Sequence, residues 1–320
     1  MSAELQFKAL VSAESLIATR QLATRLGRLP LRRSMAPRAG QFLSRARGRG
    51  VEFDESRAYQ PGDDIRLMDW RVTARTNEAH TRVLREERER PVMVVLDQQP
   101  GMLFGSRRQL KLTLAARMAA LLGWLAVHHG DRIGGLIIGA QSQHVLRPRG
   151  GRSGVMRWIH ALSSQTGALA SQRAAALSDE LDSLRRVARP GSEIWVLSDY
   201  WQLDNTLVDA VGRLCQHQEV ILCPVHDPLE ALPPPQGRYP LRLSRDSSNP
   251  VDGWLSLRGA NDRRRFHRCY FEHAEAVDDL ARRFGLRLFP LRTDHSLEQQ
   301  VVDLWRRRHG ARLSQLFGAA

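Results

Sequence analysis

The stretch Arg90-Pro91-Val92-Met93-Val94-Val95-Leu96-Asp97-Gln98-Gln99-Pro100-Gly101-Met102 decides the fold of this chain. From Val92 to Leu96 five apolar residues, three of them β-branched, follow one another with no polar residue between them. Such a run cannot present one wet face, so it reads as a strand covered on both sides, the kind that belongs to a parallel α/β sheet. In open α/β sheets ligands collect beyond the carboxyl ends of the strands, where the strand order reverses. Asp97 stands at such an end and is the first candidate functional residue.

Outward from this strand, apolar runs and helical patterns alternate. Arg107 to His128 is predicted helical, with Leu110, Leu114, Met118, Leu121, Leu122 and Leu125 on its core face. Ile133 to Ile138 reads as a strand, and Gly154 to Leu162 and Ala174 to Val187 as helices. Glu193 to Leu197 is a strand ending at Ser198-Asp199, Leu203 to Cys215 a helix, and Val220 to Val225 a strand ending at His226-Asp227. Pro233-Pro234-Pro235 interrupts, then Arg238 to Ser244 and Gly253 to Leu257 form a hairpin pattern. A helix from Asp262 to Phe284, a strand from Arg287 to Phe289 and a helix from Ser296 to His309 complete the chain.

Alternation of this kind means βαβ units. The expected fold class is α/β: a doubly wound, mostly parallel sheet with a small accessory β layer and an N-terminal helix. Residues 1–47 hold an amphipathic helix, from Glu4 to about Arg28, and a basic linker; residues 48–90 hold the accessory layer. Residues 91–232 are the core, 233–260 a hairpin expected to pair with the accessory layer, and 261–320 the closing helices and last strand.

With 320 residues the chain can bury a full core. Its net charge of +14 is an excess of arginine, with Lys8 and Lys111 the two lysines, and codon usage can produce that bias as readily as a partner can. The arginines are spread along the chain with acids between them. Specific nucleic-acid recognition is therefore not expected, only salt-sensitive binding at about 10⁻⁴ to 10⁻⁶ M. Cys215, Cys223 and Cys269 lack metal-site or disulfide spacing and read as thiols in a reducing compartment. The first residues lack a signal peptide's order, and the longest apolar run, Met118 to Val127, is shorter than the roughly 20 residues of a membrane span. A cytoplasmic location is expected, with any hold on the inner membrane made through a partner.

The densest stretch runs from Gly48 to Thr76 and contains Gly50, Glu52, Phe53, Arg57, Tyr59, Gly62, Asp63, Asp64, Arg66, Asp69, Trp70 and Arg75. Pro61-Gly62 marks a turn with Asp63 and Asp64 after it, and the acids and arginines that follow interleave with Ile65, Met68 and Trp70. The pattern predicts a rim of ion pairs anchored by a buried Trp70, a structural segment rather than an active site.

The order G-x-G-x-E-F, R-x-Y-x-P-G-D-D-I-R, D-W-R-x-x-A-R, E-E-R and then an apolar strand ending in Asp resembles the bacterial domain-of-unknown-function family DUF58. The likeness continues at Gly130-Asp131-Arg132-Ile133-Gly134, Leu197-Ser198-Asp199-Tyr200 and His226-Asp227-Pro228-Leu229-Glu230. It covers Gly48 to about Pro233 and leaves out the N-terminal helix. The resemblance implies a von Willebrand factor A-like core, an interaction role, and a MoxR-type AAA+ ATPase as partner, with membrane-associated proteins of the same core type as further partners.

In such cores the strand-end edge carries a metal-ion-dependent adhesion site, D-x-S-x-S with a later Thr and a later Asp. By position, the resemblance makes Asp97 the first acid, Asp199 the later one and Thr166 the candidate threonine, while Gln99 and Gly101 stand where the serines belong. Magnesium asks for closely placed oxygen ligands, so the site is expected to be degenerate, with weak Mg²⁺ binding at most. Serines at positions 99 and 101 are expected to restore it. No catalytic residue is assigned, because G-x-S-x-G, P-loop and H-E-x-x-H patterns are absent. Ser198, Asp199 and His226 stand at neighbouring strand ends and could meet as a nucleophile set, but Ser198-Asp199 fits a fold role and His226 begins a loop, so no such set is expected. Two other readings use the remaining features. A metal-dependent hydrolase would use Asp97, Asp199, Asp227 and His226, and the basic surface would support non-specific nucleic-acid binding.

Overall fold

The computed structural model describes residues 11–27, 51–60, 65–86, 90–138, 143–165, 176–243 and 251–306. Two compact units divide the chain, Met35–Glu89 and the remainder, Met1–Ser34 with Arg90–Ala320. Helix α1 (Ala13–Gly27) opens the larger unit.

In the small unit, strand β1 (Val51–Ala58) pairs antiparallel with β2 (His80–Glu86), and helix α2 (Trp70–Thr76) lies between them in sequence. The carboxylate of Asp69 caps α2 by accepting from the backbone N–H of Arg71 and Val72, both at 3.2 Å. Asn77, in the left-handed region at φ 59°, ends it. The expected buried anchor is absent: Trp70 is 65 % exposed. Asp69 takes the buried place as cap, and Trp70 starts the helix on its outer side. Arg66, Arg71 and Arg75 are exposed as well, whereas Asp69 is buried. The backbone N–H of Tyr59 donates to Ala79 O at 2.8 Å, and Arg57 donates to Ala58 O at 3.2 Å. Gly50, Gly62, Asp63 and Asp64 and the side chains of Glu52 and Phe53 lie outside the described residues.

The larger unit continues with β3 (Pro91–Asp97), α3 (Lys111–His128), β4 (Arg132–Ile138), β5 (Gln143–Gly150) and α4 (Gly151–Gln165). Next come α5 (Leu177–Val187), β6 (Glu193–Ser198), α6 (Asn205–Cys215), β7 (Glu219–His226) and the short α7 (Pro228–Ala231). Strands β8 (Gly237–Leu243) and β9 (Val251–Leu257), helix α8 (Ala260–Phe284), β10 (Arg287–Leu288), β11 (Leu291–Arg292) and α9 (Leu297–Arg306) follow. The central sheet has the order β10-β7-β6-β3-β4-β5, with β11 also on β7; β5 alone runs antiparallel.

After β3 the chain builds outward to β4 and β5, then returns to lay β6, β7 and β10 on the other side. The order therefore reverses between β3 and β6, at the carboxyl ends that carry Asp97 and Asp199.

Helices cover both faces, which is why β3 has no polar face. Val92, Val94 and Leu96 join a core with residues of α1, α3, α4 and α9. Met93 and Val95 join a second core with residues of α5, α6 and α8. Helix α1 is thus part of the main core, with Leu16 and Leu26 fully buried and its side laid on α3.

Strands β8 and β9 pair with each other as a two-stranded sheet of the larger unit, and β1 and β2 do so in the small unit. Strand β5 escaped notice because it is a polar edge strand with Arg147, Pro148 and Arg149, and proline is tolerated at an edge.

Trp158 of α4 fixes the helix against the sheet. It is fully buried, and its indole donates to Ala119 O of α3 at 3.0 Å. The ring sits where a side chain on Gly135 of β4 would project, since a Cβ there would lie 2.8 Å from it. Trp158→Ala should therefore lower unfolding free energy by about 3–5 kcal/mol, as core aromatic truncations do. Trp70→Ala should change it by no more than about 0.5 kcal/mol. Urea titrations of the two variants separate these cases, and equal losses would show that Trp70 is covered in solution.

Candidate functional site

The carboxyl edge of the sheet is assembled around Lys111, the first residue of α3, whose side chain is fully buried. Its ammonium donates to Asp199 Oδ2 at 2.8 Å and to Glu230 Oε1 at 2.6 Å. Burial alone would push the ammonium pKa down; the charges of Glu230 and Asp199 outweigh it and hold the group above its ordinary value. Burial raises the Glu230 carboxyl, while the Lys111 charge and the N–H groups bonded to it oppose that rise.

Each acid is aimed by a local device. Tyr200 follows Asp199 with φ 58°, a left-handed conformation that a bulky residue adopts only when held. Its phenol donates to Val196 O at 2.7 Å, and its backbone N–H donates to Ser198 Oγ at 3.0 Å. That bend leaves Asp199 Oδ2 facing Lys111 and Oδ1 accepting from Trp201 N at 3.3 Å. His273 of α8 bonds the Asp199 carbonyl at 2.9 Å and stacks on Trp201 at 4.1 Å between centroids.

Glu230 belongs to a capping box, with Oε2 accepting from Asp227 N at 2.8 Å. Asp227 caps α7 and also accepts from Ser106 N at 2.8 Å, from the Ser106 hydroxyl and from the Thr293 hydroxyl. Burial opposes ionisation of Asp227, but these donors prevail and hold its carboxyl below the usual range.

Asp97 accepts from Ser198 Oγ at 2.5 Å and from Gln99 N at 2.9 Å. Burial first, and the Asp199 charge second, raise its carboxyl to about 7. Gln99 is buried and its amide oxygen accepts from Gln202 at 3.4 Å. Ser198 donates to Asp97 and not to His226, so the sequence-derived nucleophile set is not assembled. His226 is buried, and burial, followed by the charges of Arg292 and Lys111, drives its pKa down to about 3. Of the three strand-end acids, Asp97 and Asp199 come together, whereas Asp227 is drawn to Ser106 and Thr293. Thr166 lies outside the described residues.

The arrangement does not fit a magnesium ion. Lys111 already neutralises Asp199, and no group of three His, Cys, Asp or Glu with metal-holding geometry occurs among the described residues. A Cβ at position 101 would meet Asp199 Oδ2, so a serine there requires that carboxylate, held by Lys111, to shift. Serines at 99 and 101 would therefore restore the site only if the Asp199 carboxylate left its place beside Lys111; Gly101 is not among the positive-φ residues.

Sequence reasoning missed Lys111, Glu230 as its partner, Ser106, Thr293 and Trp201. One signal was there for Lys111, a lysine kept at the start of an apolar helix in a chain that uses arginine almost everywhere else.

The family model described as "Protein of unknown function DUF58" matches residues 55–276. Uncharacterized proteins from Mycobacterium tuberculosis and Mycobacterium bovis are each 32 % identical over 273 residues, which is 85 % of this chain and 84 % of theirs. Among solved structures, an aerotolerance-related membrane protein from Bacteroides fragilis, carrying substitutions to serine, is 18 % identical. That match covers 67 % of this chain and 96 % of the other at a TM-score of 0.43. An uncharacterized membrane-spanning protein from Vibrio fischeri is 14 % identical, covering 69 % and 99 % at a TM-score of 0.22. In this chain no helix among the described residues is long and apolar enough to cross a membrane.

The raised Asp97 carboxyl gives a pH test. A group whose folded pKa lies above its unfolded value of about 3.9 stabilises fully below that value and loses its contribution as pH rises through the folded pKa, here about 7. Asp97→Asn removes the charge, keeps one oxygen to accept from Gln99 N, and turns an amide N–H toward Ser198 Oγ in place of the second acceptor. From pH 5 to pH 8 the melting temperature of the native protein should fall relative to that of Asp97→Asn. A difference that stays constant across this range would show that Asp97 does not titrate there.

Proposed function

The chain belongs to the DUF58 family, and from that premise we propose that it is a non-catalytic protein–protein interaction and assembly module with a von Willebrand factor A-like core. The observation that carries this reading is that Asp97, Asp199 and Asp227, the acids a hydrolase would need, are each bonded to groups of this same chain. Carboxylate oxygens occupied by donors of the same chain have fewer lone pairs to offer a water or a metal. The reversal of strand order between β3 and β6 supports the von Willebrand A-like assignment.

The same edge offers a contact surface. Trp201 (45 % exposed), Phe104 (39 %) and Leu232 (43 %) are large apolar side chains left in solvent. All three sit on the buried cluster through short links. Trp201 donates to Glu230 at 3.3 Å, Phe104 O accepts from Lys111 N at 2.8 Å, and Leu232 follows α7. Aromatic side chains on a rigid base are the usual anchors of protein interfaces. The resemblance points to a MoxR-type AAA+ ATPase as the partner, in a chaperone-like or complex-maturation role, with the module in the cytoplasm or held at the inner membrane by that assembly.

A purified MoxR-type ATPase from the same host should be retained by the immobilised chain. Trp201→Ala combined with Phe104→Ala should weaken retention at least about tenfold, as loss of interface anchors does, with the melting temperature kept. Hydrolysis of a phosphodiester such as bis(p-nitrophenyl) phosphate, abolished by Asp97→Asn, would replace this reading with the hydrolase.

A further inference from the structure

We infer that Lys111 is the resident cation of this edge, standing where a von Willebrand A-like domain would hold a divalent metal, so that the edge is built and kept in its binding form without metal. The inference rests on the interaction reading for its meaning but not for its test. Its structural basis is threefold. The ammonium is fully buried and bonded to two carboxylates from different elements, Asp199 after β6 and Glu230 of α7. Gly101 leaves the space that Asp199 uses to reach it, at the position where a hydroxyl ligand would otherwise stand. The acid expected to lie behind a metal, Asp97, is instead bonded to Ser198 and Gln99 N, with Lys111 near enough to act on its charge.

A lysine at the first position of a helix is opposed by the positive end of the helix dipole. Two carboxylates overcome that opposition, which marks the position as one where a positive charge is required. The chain's preference for arginine sharpens the point. Here the chain uses the compact, three-donor ammonium of a lysine between two buried carboxylates rather than its usual guanidinium.

The experiment compares melting temperatures of the intact chain in EDTA and in millimolar magnesium or manganese. The native protein should differ by less than about 1 °C between these conditions, because no site gains a ligand. Lys111→Ala should melt roughly 10 °C lower in EDTA, since it leaves buried carboxylates without a counter-charge, and should recover part of that loss with manganese. Lys111→Met, which fills the volume without the charge, should be lowered as well and should respond less to manganese.

A native protein raised by more than about 5 °C by magnesium, with the rise lost in Asp199→Asn, would overturn the inference. So would a Lys111→Met variant as stable as the native chain, or a folded Lys111→Ala that ignores manganese. If Lys111→Ala does not fold, the native comparison decides alone. Retention of the ATPase in EDTA would support the inference, and its loss there would overturn it while leaving the interaction reading intact. Absence of retention under both conditions would remove the interaction reading and leave the thermal results to judge Lys111.

Discussion

An ammonium withdrawn from water costs several kcal/mol unless carboxylates meet it inside the protein, and the carboxyl edge of this sheet is organised around that requirement. Lys111 ties together the start of α3, the turn after β6 and the helix after β7. The family-like motifs acquire physical roles from it. In Leu197-Ser198-Asp199-Tyr200 the serine holds Asp97, the aspartate meets Lys111, and the tyrosine pins the left-handed turn that aims it. In His226-Asp227-Pro228-Leu229-Glu230 the aspartate and glutamate cap one another's backbone, and the glutamate completes the ion cluster. Asp227 extends the same network by holding Ser106 and Thr293, residues 121 and 66 positions away in the chain.

The opposite edge is closed by different chemistry. Arg90, just before β3, donates to Gly191 O at 3.1 Å and to Glu193 at 3.0 Å, and also pairs with Glu219; its backbone N–H donates to Asp131 at 2.8 Å. There a planar guanidinium bridges several acceptors at a half-exposed rim. Within one sheet the amino ends are joined by an arginine fork and the carboxyl ends by a lysine point charge, each suited to its depth of burial.

Much of the architecture was legible because it depends on runs and periods. Val92 to Leu96, Glu193 to Leu197 and Val220 to Val225 are apolar without alternation, and only a sheet covered on both faces explains that. The strand ends followed, and with them the meeting of Asp97 and Asp199. What was not legible depends on tertiary neighbours. Trp70 reads as an anchor by size, but the neighbouring cap Asp69 takes the buried place. Strand β5 hides its pairing behind arginines and a proline. The charge of Lys111 is visible in sequence, but its partners lie 88 and 119 residues away, and no local pattern joins them.

The close approach of Gly101 to Asp199 also constrains how this edge can change over generations. A serine at 101 collides with the carboxylate while Lys111 holds it in place, so that substitution is penalised first. Loss of Lys111 first leaves acids buried without a counter-charge, and it is penalised too. Each step toward a metal-holding edge is harmful until the other has occurred. Such sign epistasis holds the edge in its ammonium form, because neither step away from it is neutral while the other partner is still in place.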